Sequence, residues 1–423
     1  MDWLKHNRIN NSFYAHYNRD RFYSLIKSLP FNKAVDMSVN NKYDIGLVGN
    51  WSFPNYGSEL TYYALNRVLT NMGYSVLMIE WPEDSKWKPY GATQLFAIEP
   101  YDKEEIAKGY PTKKKMTELN YMCEIFVLGS DQLMDNYLYW VFGSSFALDW
   151  VYSYKNKIGY ALSFGRDEYH GSIYEQAELA HHLKRLNCIS AREKSGVRIF
   201  KEKFGIDAEQ VLDPVFLCDE SEYKNLINKL HIITPVNYMF TYILDPDPVK
   251  TLILRQSAER LNLKLKAILD GEKDNIINDD FWNIDTVYNA SIETWLAYIA
   301  DCDFCITDSF HGVCFSIIFR KNFIAIVNNK RGATRFESLL SLLGLENRMV
   351  YKAEDIPERP ELFNPIDYDK VYKILDDERE KSRHWLVDAL KGKYNVELSD
   401  YDILTMRCDM LEEMIRKLSE KLK

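Results

Sequence analysis

The chain has 423 residues, of which 46% are hydrophobic and 14% aromatic, with only 13 prolines and 18 glycines. This composition excludes a disordered, collagen-like or low-complexity protein. Its 62 acidic and 53 basic residues give a net charge of −9, which argues against a dedicated nucleic-acid binder because such proteins present a broad basic face. A small anionic substrate is still compatible, since a local cluster of cations or helix N-termini could hold it.

Seven cysteines are scattered without the spacing of a disulfide framework, which indicates a reduced, cytoplasmic setting. Cys302 and Cys305 form one CxxC pair, but no second pair accompanies it, so buried thiols are favoured over a zinc or redox site. The N-terminus lacks the apolar run of a signal peptide. The most apolar stretch, 304–327, is interrupted by charged residues such as Asp308 and Arg320. We therefore expect neither a metal site nor a membrane span.

Residues 1–42 are polar and aromatic and are predicted to form a helical or irregular extension. Short apolar runs, turns and helical segments then alternate along the first half, with Gly73 ending the first helix. The runs that predict strands are 44–49, 76–81, 125–130, 157–163, 188–193 and 211–216. Continuous apolar strands alternating with helices indicate a parallel sheet that helices cover on both faces.

The same alternation restarts after a linker predicted near 219–235. Its strands are predicted at 237–245, 263–270, 304–309, 323–328 and 349–352. The fold class is therefore α/β, with two Rossmann-like doubly wound domains facing a cleft and helical extensions at both termini. The predicted units are an extension over 1–42, domains over 43–230 and 231–365, and a helical tail over 366–423. Ligands of such sheets bind beyond the carboxyl ends of the strands.

The tail carries apolar residues at spacings of three and four in two helical segments, 367–393 and 403–423. Two interpretations are open. The helices pack on the two domains, or they form an amphipathic surface for a partner or for the face of a membrane.

The segment TDSFHG, which begins at Thr307, carries the strongest local signal. A buried strand ends there and an apolar helix follows, so His311 lies in the first turn of the helix, near backbone N–H groups that form an anion site. The helix dipole disfavours the imidazolium unless an anion binds beside it. The alternative is a polar cap without function.

Other strand ends supply cations. Arg192 follows the strand predicted at 188–193 and could grip a carboxylate or phosphate through two hydrogen bonds, or it could form a domain-bridging salt bridge. Lys330, Arg331 and Arg335 follow the strand after the histidine helix, and a solvated loop is the alternative for them.

Polar groups of the first half complete the candidate site. Asp131 and Gln132 follow the strand predicted at 125–130 and could bind sugar hydroxyls or act as acid or base. Gly57 opens the first helix and allows close approach of a ligand. Because GxGxxG, Walker, HExxH and GxSxG motifs do not occur in a suitable context, dinucleotide, P-loop, zincin and α/β-hydrolase chemistry are disfavoured.

Six segments in chain order together resemble the polysaccharide pyruvyl transferase family. They are NYGSELTYYAL from Asn55, VLGSDQ from Val127, KIGYALSFG from Lys157, ISAREKSG from Ile189, VLDPVF from Val211, and TDSFHG from Thr307 with the later RGATRFESLLSLLGLENR. The resemblance implies a GT-B-like fold with the acceptor on the first domain and the donor on the second. It implies that phosphoenolpyruvate, without a cofactor, gives its enolpyruvyl group to sugar hydroxyls of a surface or capsular polysaccharide precursor, forming a cyclic pyruvate ketal and releasing phosphate.

The resemblance places a histidine beside the donor, which makes His311 the candidate general acid. Asp131 and Glu59 are the candidate bases for the acceptor, and Arg192 joins His311 and Asp131 as a catalytic candidate. The predicted donor contacts are Arg192, Ser309, His311, Gly312, Lys330, Arg331 and Arg335. The predicted acceptor contacts are Asn55, Tyr56, Gly57, Glu59, Asp131 and Gln132.

One position departs from the family. The resemblance implies an Arg-x-His arrangement in some branches of the family, whereas this chain has Ser309 two residues before His311. The role of that arginine would then fall to Arg331, Arg335 or Lys330. Two other functions stay open: a GT-B glycosyltransferase that uses a nucleotide sugar, and a noncatalytic sugar-binding protein. The predicted glycan acceptor is polyprenyl-linked, and peripheral contact with the inner face of the cytoplasmic membrane is the alternative to a purely cytoplasmic location.

Overall fold

A computed structural model describes residues 43–51, 55–79, 106–107, 116–135, 139, 143–269, 284–327, 332–394 and 400–421. The predicted extension over 1–42 and the cations Lys330 and Arg331 lie outside the described residues. Within these ranges, no helix combines the length and apolarity needed to cross a bilayer.

The first half forms a seven-stranded parallel sheet. Its strands lie side by side in the order β3-β2-β1-β4-β5-β6-β7. This order is that of a doubly wound Rossmann sheet with one strand added at the edge. The strands are β1 (Tyr43–Val48), β2 (Val76–Ile79), β3 (Ile106–Ala107), β4 (Cys123–Leu128), β5 (Asn156–Leu162), β6 (Cys188–Ala191) and β7 (Glu209–Gln210).

The second half forms a six-stranded parallel sheet in the corresponding order, β10-β9-β8-β11-β12-β13. Its strands are β8 (Tyr238–Tyr242), β9 (Lys264–Leu269), β10 (Asp285–Tyr288), β11 (Phe304–Thr307), β12 (Asn322–Ile326) and β13 (Met349–Val350). The predicted fold class, two Rossmann-like units, is therefore confirmed. The domain boundaries drawn at 42/43, 230/231 and 365/366 stay predictions.

Twelve helices connect and cover the sheets in the part of the chain that the structure describes. The first begins at Asn55, whose side chain accepts a hydrogen bond from the Ser58 N–H at 3.0 Å, and it ends before Gly73, whose φ is +91°. The helices are α1 (Tyr56–Asn71), α2 (Ile173–Leu183), α3 (Lys194–Ile199), α4 (Pro214–Leu217), α5 (Glu220–Asn228), α6 (Pro248–Leu261), α7 (Ile292–Asp301), α8 (Phe310–Ile318), α9 (Thr334–Leu343), α10 (Asp355–Glu358), α11 (Tyr368–Leu390) and α12 (Asp400–Lys421).

Two predicted elements are wrong. The segment 211–216 is not a strand, because Asp213 caps α4 by accepting a hydrogen bond from the Val215 N–H at 3.1 Å, and Pro214 begins the helix. The predicted linker at 219–235 contains α5, which buries Tyr223. Strands β3 and β10 were not predicted, since one has only two residues and the other is partly polar and half-buried.

Helix α11 ties the two halves together. It contacts the second half through the Tyr372 hydroxyl, which donates to the Ile318 carbonyl at 2.8 Å. It then reaches the first half, where the Arg379 Nε donates to the Phe216 carbonyl at 2.7 Å and the Asn156 amide donates to the Ala389 carbonyl at 3.0 Å. For this first tail helix the packing interpretation is confirmed.

Strand β5 buries a lysine, and this has a testable consequence for stability. Burial lowers the pKa of Lys157 to about 7. The unfolded chain keeps this lysine protonated up to about pH 10.4, so unfolding takes up a proton between these pH values and stability rises with pH across them. We expect the free energy of unfolding to rise by up to about 1.4 kcal/mol per pH unit from this group.

Urea denaturation of the wild type and of Lys157→Met between pH 7 and 10 measures this contribution. The variant should lose that part of the pH dependence, whereas Lys201→Met, which removes an exposed lysine, should keep it. Identical pH profiles for the wild type and Lys157→Met would contradict the prediction.

Candidate active site

The carboxyl ends of strands from both sheets meet at one place. Asp131 follows β4 and His311 follows β11, and each of these strands adjoins the first strand of its sheet, where the strand order reverses. Doubly wound sheets bind ligands at this switch point. Arg192 follows β6 and brings a cation to the same site. The structure therefore brings the three predicted catalytic residues together.

His311 contacts two first-half residues that were not predicted as site residues. Its Nε2 lies 2.9 Å from the Thr61 hydroxyl and 3.4 Å from the carboxylate of Asp213. The imidazole is buried, with 6% of the residue exposed. The structure therefore gives His311 two polar partners from the first half that the sequence analysis lacked.

Asp213 is the anionic centre of the site. Its carboxylate accepts a hydrogen bond from Arg192 Nη1 at 2.5 Å, and both side chains are almost completely buried. Burial alone would raise the pKa of Asp213, but Arg192 and the hydrogen bond with His311 hold it well below its usual range. Asp213 is therefore a charged link between Arg192 and His311.

Arg192 is surrounded by carboxylates of its own half. Besides Asp213, it contacts Asp131 at 3.4 Å and Glu193 at 3.9 Å. Burial opposes its charge, yet these three carboxylates hold the pKa of Arg192 above its usual value. A salt bridge is thus present, but it does not cross between the halves. Arg192 contacts the second half through Phe310, whose ring centre lies 4.7 Å from the Arg192 guanidinium carbon.

Arg335 approaches the same ring from the second half, with its guanidinium carbon 5.5 Å from the ring centre of Phe310. Burial and the charge of Arg192 lower the pKa of Arg335 to about 10. Arg192 and Arg335 therefore approach the ring of Phe310 from different halves of the chain.

Asp131 is the most accessible of the three carboxylates. Its side chain is 18% exposed, against 1% for Asp213 and none for Glu193. Its φ of +93° lies in the left-handed region, which costs a non-glycine residue of order 1–3 kcal/mol. The strain is held by the Asp131 carbonyl, which accepts hydrogen bonds from the N–H groups of Ser163 at 3.1 Å and Leu133 at 2.7 Å. This backbone geometry directs the Asp131 carboxylate towards Arg192.

Glu193 lies behind Arg192 and is completely buried. It accepts a hydrogen bond from the Phe164 N–H at 2.9 Å, and burial raises its pKa. The described site thus has two arginines facing three carboxylates, one of which is biased towards its neutral form. Lys330 and Arg331, the other two cations predicted to contact the donor, lie outside the described residues.

A small cavity lies beside the two arginines of the site. It measures about 20 Å³, and its lining includes Arg192, Asp213, Phe310 and Arg335. That volume has room for about one water molecule. Residues from both halves line the cavity.

The predicted acceptor contacts fall into two groups. Tyr56 is completely buried, donates to the Ala290 carbonyl at 2.7 Å and stacks on Trp295, so it packs the halves together and offers no accessible surface. The side chain of Asn55 caps α1. Asn55, Glu59 and Gln132 are partly exposed, so they, with Asp131, are the predicted acceptor contacts that offer surface.

Gly57 is needed for a different reason from the one predicted. A Cβ atom there would lie 2.0 Å from His311 Nδ1. The glycine therefore makes room for the imidazole and not for a ligand. The helix that carries His311 also requires a glycine in its first turn, because a Cβ on Gly312 would lie 2.6 Å from the Thr307 hydroxyl.

The start of α8 is capped from within. The Ser309 hydroxyl accepts a hydrogen bond from the Gly312 N–H at 3.3 Å, and the Ser309 N–H donates to the Thr307 hydroxyl at 3.0 Å. These two groups are therefore already paired. Asp308 does not cap this helix; it accepts hydrogen bonds from the Leu244 N–H at 2.6 Å and from Lys250 Nζ at 2.8 Å.

The cysteine pair lies away from this site. Cys302 and Cys305 are both buried, and burial raises the pKa of Cys305 to about 12. Over the described ranges, no group of three or more His, Cys, Asp or Glu side chains could hold a metal ion.

Comparison with known proteins identifies the family. The family model described as polysaccharide pyruvyl transferase matches residues 55–330, more than half of the chain. The chain belongs to the polysaccharide pyruvyl transferase family. The family is one of enzymes, and the matched range contains Asp131, Arg192, Asp213 and His311 but ends before Arg335. Among curated proteins, none matches the chain.

Solved structures resemble this pyruvyl transferase family member at low identity. UDP-N-acetylglucosamine 2-epimerase from Rickettsia bellii is 10% identical over 82% of this chain and 96% of that one, with a TM-score of 0.49. UDP-GlcNAc 2-epimerase from Neisseria meningitidis is 10% identical over 82% of this chain and 98% of that one, with a TM-score of 0.48. AviGT4, a glycosyltransferase involved in avilamycin A biosynthesis, is 10% identical over 83% of this chain and 98% of that one, with a TM-score of 0.45.

Asp213 and Thr61 are the site residues that sequence reasoning missed. Asp213 was taken for part of a strand, although the pair Asp-Pro in VLDPVF is a helix-start signal that could have identified it as a cap. Thr61 lies within α1, five residues after the start of that helix, and nothing in its local sequence distinguishes it from a core threonine.

Proposed function

We propose that this member of the family transfers the enolpyruvyl group of phosphoenolpyruvate to two hydroxyls of a sugar, forming a cyclic pyruvate ketal and releasing phosphate. One observation carries the proposal: His311, at the start of a second-half helix, lies against Asp213 and Thr61 of the first half. Arg192 and Arg335 both lie beside the ring of the neighbouring Phe310. A proton donor and two cations are what a donor with a carboxylate and a phosphate requires.

In this mechanism His311 is the general acid. The imidazole lies against Asp213 and Thr61, and its proton goes to the methylene carbon of the donor. The central carbon then carries positive charge, and a sugar hydroxyl attacks it. Departure of phosphate allows a second hydroxyl to close the ketal. Each hydroxyl loses a proton. Asp131, the most accessible carboxylate of the site, is the proposed acceptor of the first and passes it to the departing phosphate, and the second proton returns to His311.

Donor binding requires the site to open. The cavity beside Phe310 has room for about one water molecule, so the residues that line it must move apart when the donor binds. Arg335 is the proposed replacement for the arginine absent at Ser309.

The acceptor is proposed to be a polyprenyl-linked precursor of a surface or capsular polysaccharide. The partly exposed Glu59, Asp131 and Gln132 supply carboxylate and amide groups of the kind that bind sugar hydroxyls. They lie on the first half, opposite the helix that carries His311.

The test is incubation of the protein with phosphoenolpyruvate and a panel of lipid-linked sugars. We expect phosphate release together with a gain in acceptor mass equal to one pyruvic acid less one water. Thermal denaturation discriminates the alternatives. Protection by a UDP-sugar but not by phosphoenolpyruvate would replace the proposal with a nucleotide-sugar glycosyltransferase, and protection by glycan alone would indicate a noncatalytic sugar-binding protein.

A further inference from the structure

The last helix, α12, docks on the first half through its polar face. Asp409 accepts a hydrogen bond from the Ser153 N–H at 2.9 Å, and Asp402 lies 3.8 Å from Arg185. The guanidinium carbon of Arg416 lies 3.6 Å from the ring centre of Tyr121. Charged and polar side chains, together with the buried Met410, therefore attach this helix to the protein body.

The opposite face of α12 is apolar and exposed. Leu404 is 60% exposed, Leu411 57%, Ile415 62% and Leu418 40%, and Cys408 is also exposed. A surface helix normally buries its apolar stripe and exposes its polar face. Among the apolar side chains of α12 that the structure describes, only Met410 is buried, so the exposed ones gain from burial against another molecule.

The five apolar residues follow a heptad spacing of four, three, four and three. Cys408 and Ile415 occupy the a positions, and Leu404, Leu411 and Leu418 occupy the d positions. A strict a/d seam is the narrow stripe of a coiled coil, and leucine at every d position with a β-branched residue at a is typical of parallel two-stranded coils.

The charges beside the seam fit a parallel pair of α12 helices. Arg407 occupies a g position and Glu412 the next e position. In a parallel coiled coil in register, the g residue of one helix lies beside the following e residue of its partner. Two symmetric Arg407–Glu412 pairs would therefore form across the interface.

We propose that α12 pairs with α12 of a second copy of this chain as a parallel, in-register two-stranded coiled coil. A lipid surface fits the helix less well, because Asp400–Lys421 contains six acidic and four basic residues and an anionic membrane would repel it. The pairing is independent of the proposed reaction, because it involves no residue of the active site.

Sedimentation velocity across the micromolar range tests the pairing. The wild type should be a dimer, and Leu411→Glu should weaken association by at least about 100-fold, because it puts a charge into the seam. Leu252→Glu makes the same change at a leucine on α6 that is 48% exposed and should remain dimeric. A monomeric wild type, or a dimeric Leu411→Glu, overturns the proposal.

Cross-linking and charge reversal test the register. Cys408 is the one exposed cysteine of the seven, so mild oxidation should give a disulfide-linked dimer that Cys408→Ser abolishes, because equivalent a residues meet only in a parallel pair. Arg407→Glu and Glu412→Arg should each weaken the dimer, and the double variant should restore it. A wild type that is monomeric and binds phosphatidylglycerol vesicles through Leu411 would assign the seam to lipid instead.

Discussion

Replacing His311 with alanine is expected to lower the rate of pyruvyl transfer by about 10²–10⁴-fold, the usual contribution of general acid catalysis. The physical reason is the loss of the proton donor that Asp213 and Thr61 hold in place. The measurement is phosphate release under saturating donor, with an acceptor that the wild type converts.

His384→Ala is the matched control, since it removes an exposed histidine from α11 and should leave the rate unchanged. Far-UV circular dichroism and the thermal midpoint establish that His311→Ala is folded. If turnover of that acceptor survives undiminished in folded His311→Ala, the general-acid role is wrong, although the transferase activity itself would stand.

Replacing Asp213 with alanine is expected to lower the free energy of unfolding by up to about 3–5 kcal/mol, because the buried Arg192 loses the closest of its three carboxylates. Arg192 and Asp213 are 2% and 1% exposed, so water cannot replace the lost carboxylate. Urea denaturation followed by tryptophan fluorescence measures the change.

Two controls separate the causes. Asp207→Ala breaks a pair with Lys201 whose side chains are 86% and 61% exposed, and it should cost at most about 1 kcal/mol. Asp213→Asn keeps an acceptor for the Val215 N–H and removes only the charge, so most of the loss should persist in it. A loss for Asp213→Ala no larger than that for Asp207→Ala would show that the Arg192 pair is not a major source of stability.

These two experiments probe one cluster for two purposes. Asp213 holds Arg192 in the folded core and also lies beside His311, so the carboxylate that stabilises the site also contacts the proposed general acid. A change of charge at this position is therefore expected to affect stability and catalysis together, whereas His311→Ala is expected to affect mainly catalysis.

The sequence by itself determined the fold class and the approximate location of the site. Alternating apolar runs and helical segments specify parallel sheets because each strand must be buried on both faces, and strand ends specify the ligand edge because parallel strands all end there. For this reason Asp131, Arg192 and His311 could be named from local pattern alone.

Only the tertiary structure decided which side chains meet in the site and which are buried in packing contacts. Asp213 was hidden in a segment mistaken for a strand, and Thr61 looks like any core threonine until α1 is packed against α8. Tyr56 and Gly57 serve the contact between the halves, and the apolar face of α12 points outward although its periodicity is that of a buried helix. Hydrophobic periodicity reports that a face is buried somewhere, whereas the partner is set by packing between residues far apart in the chain.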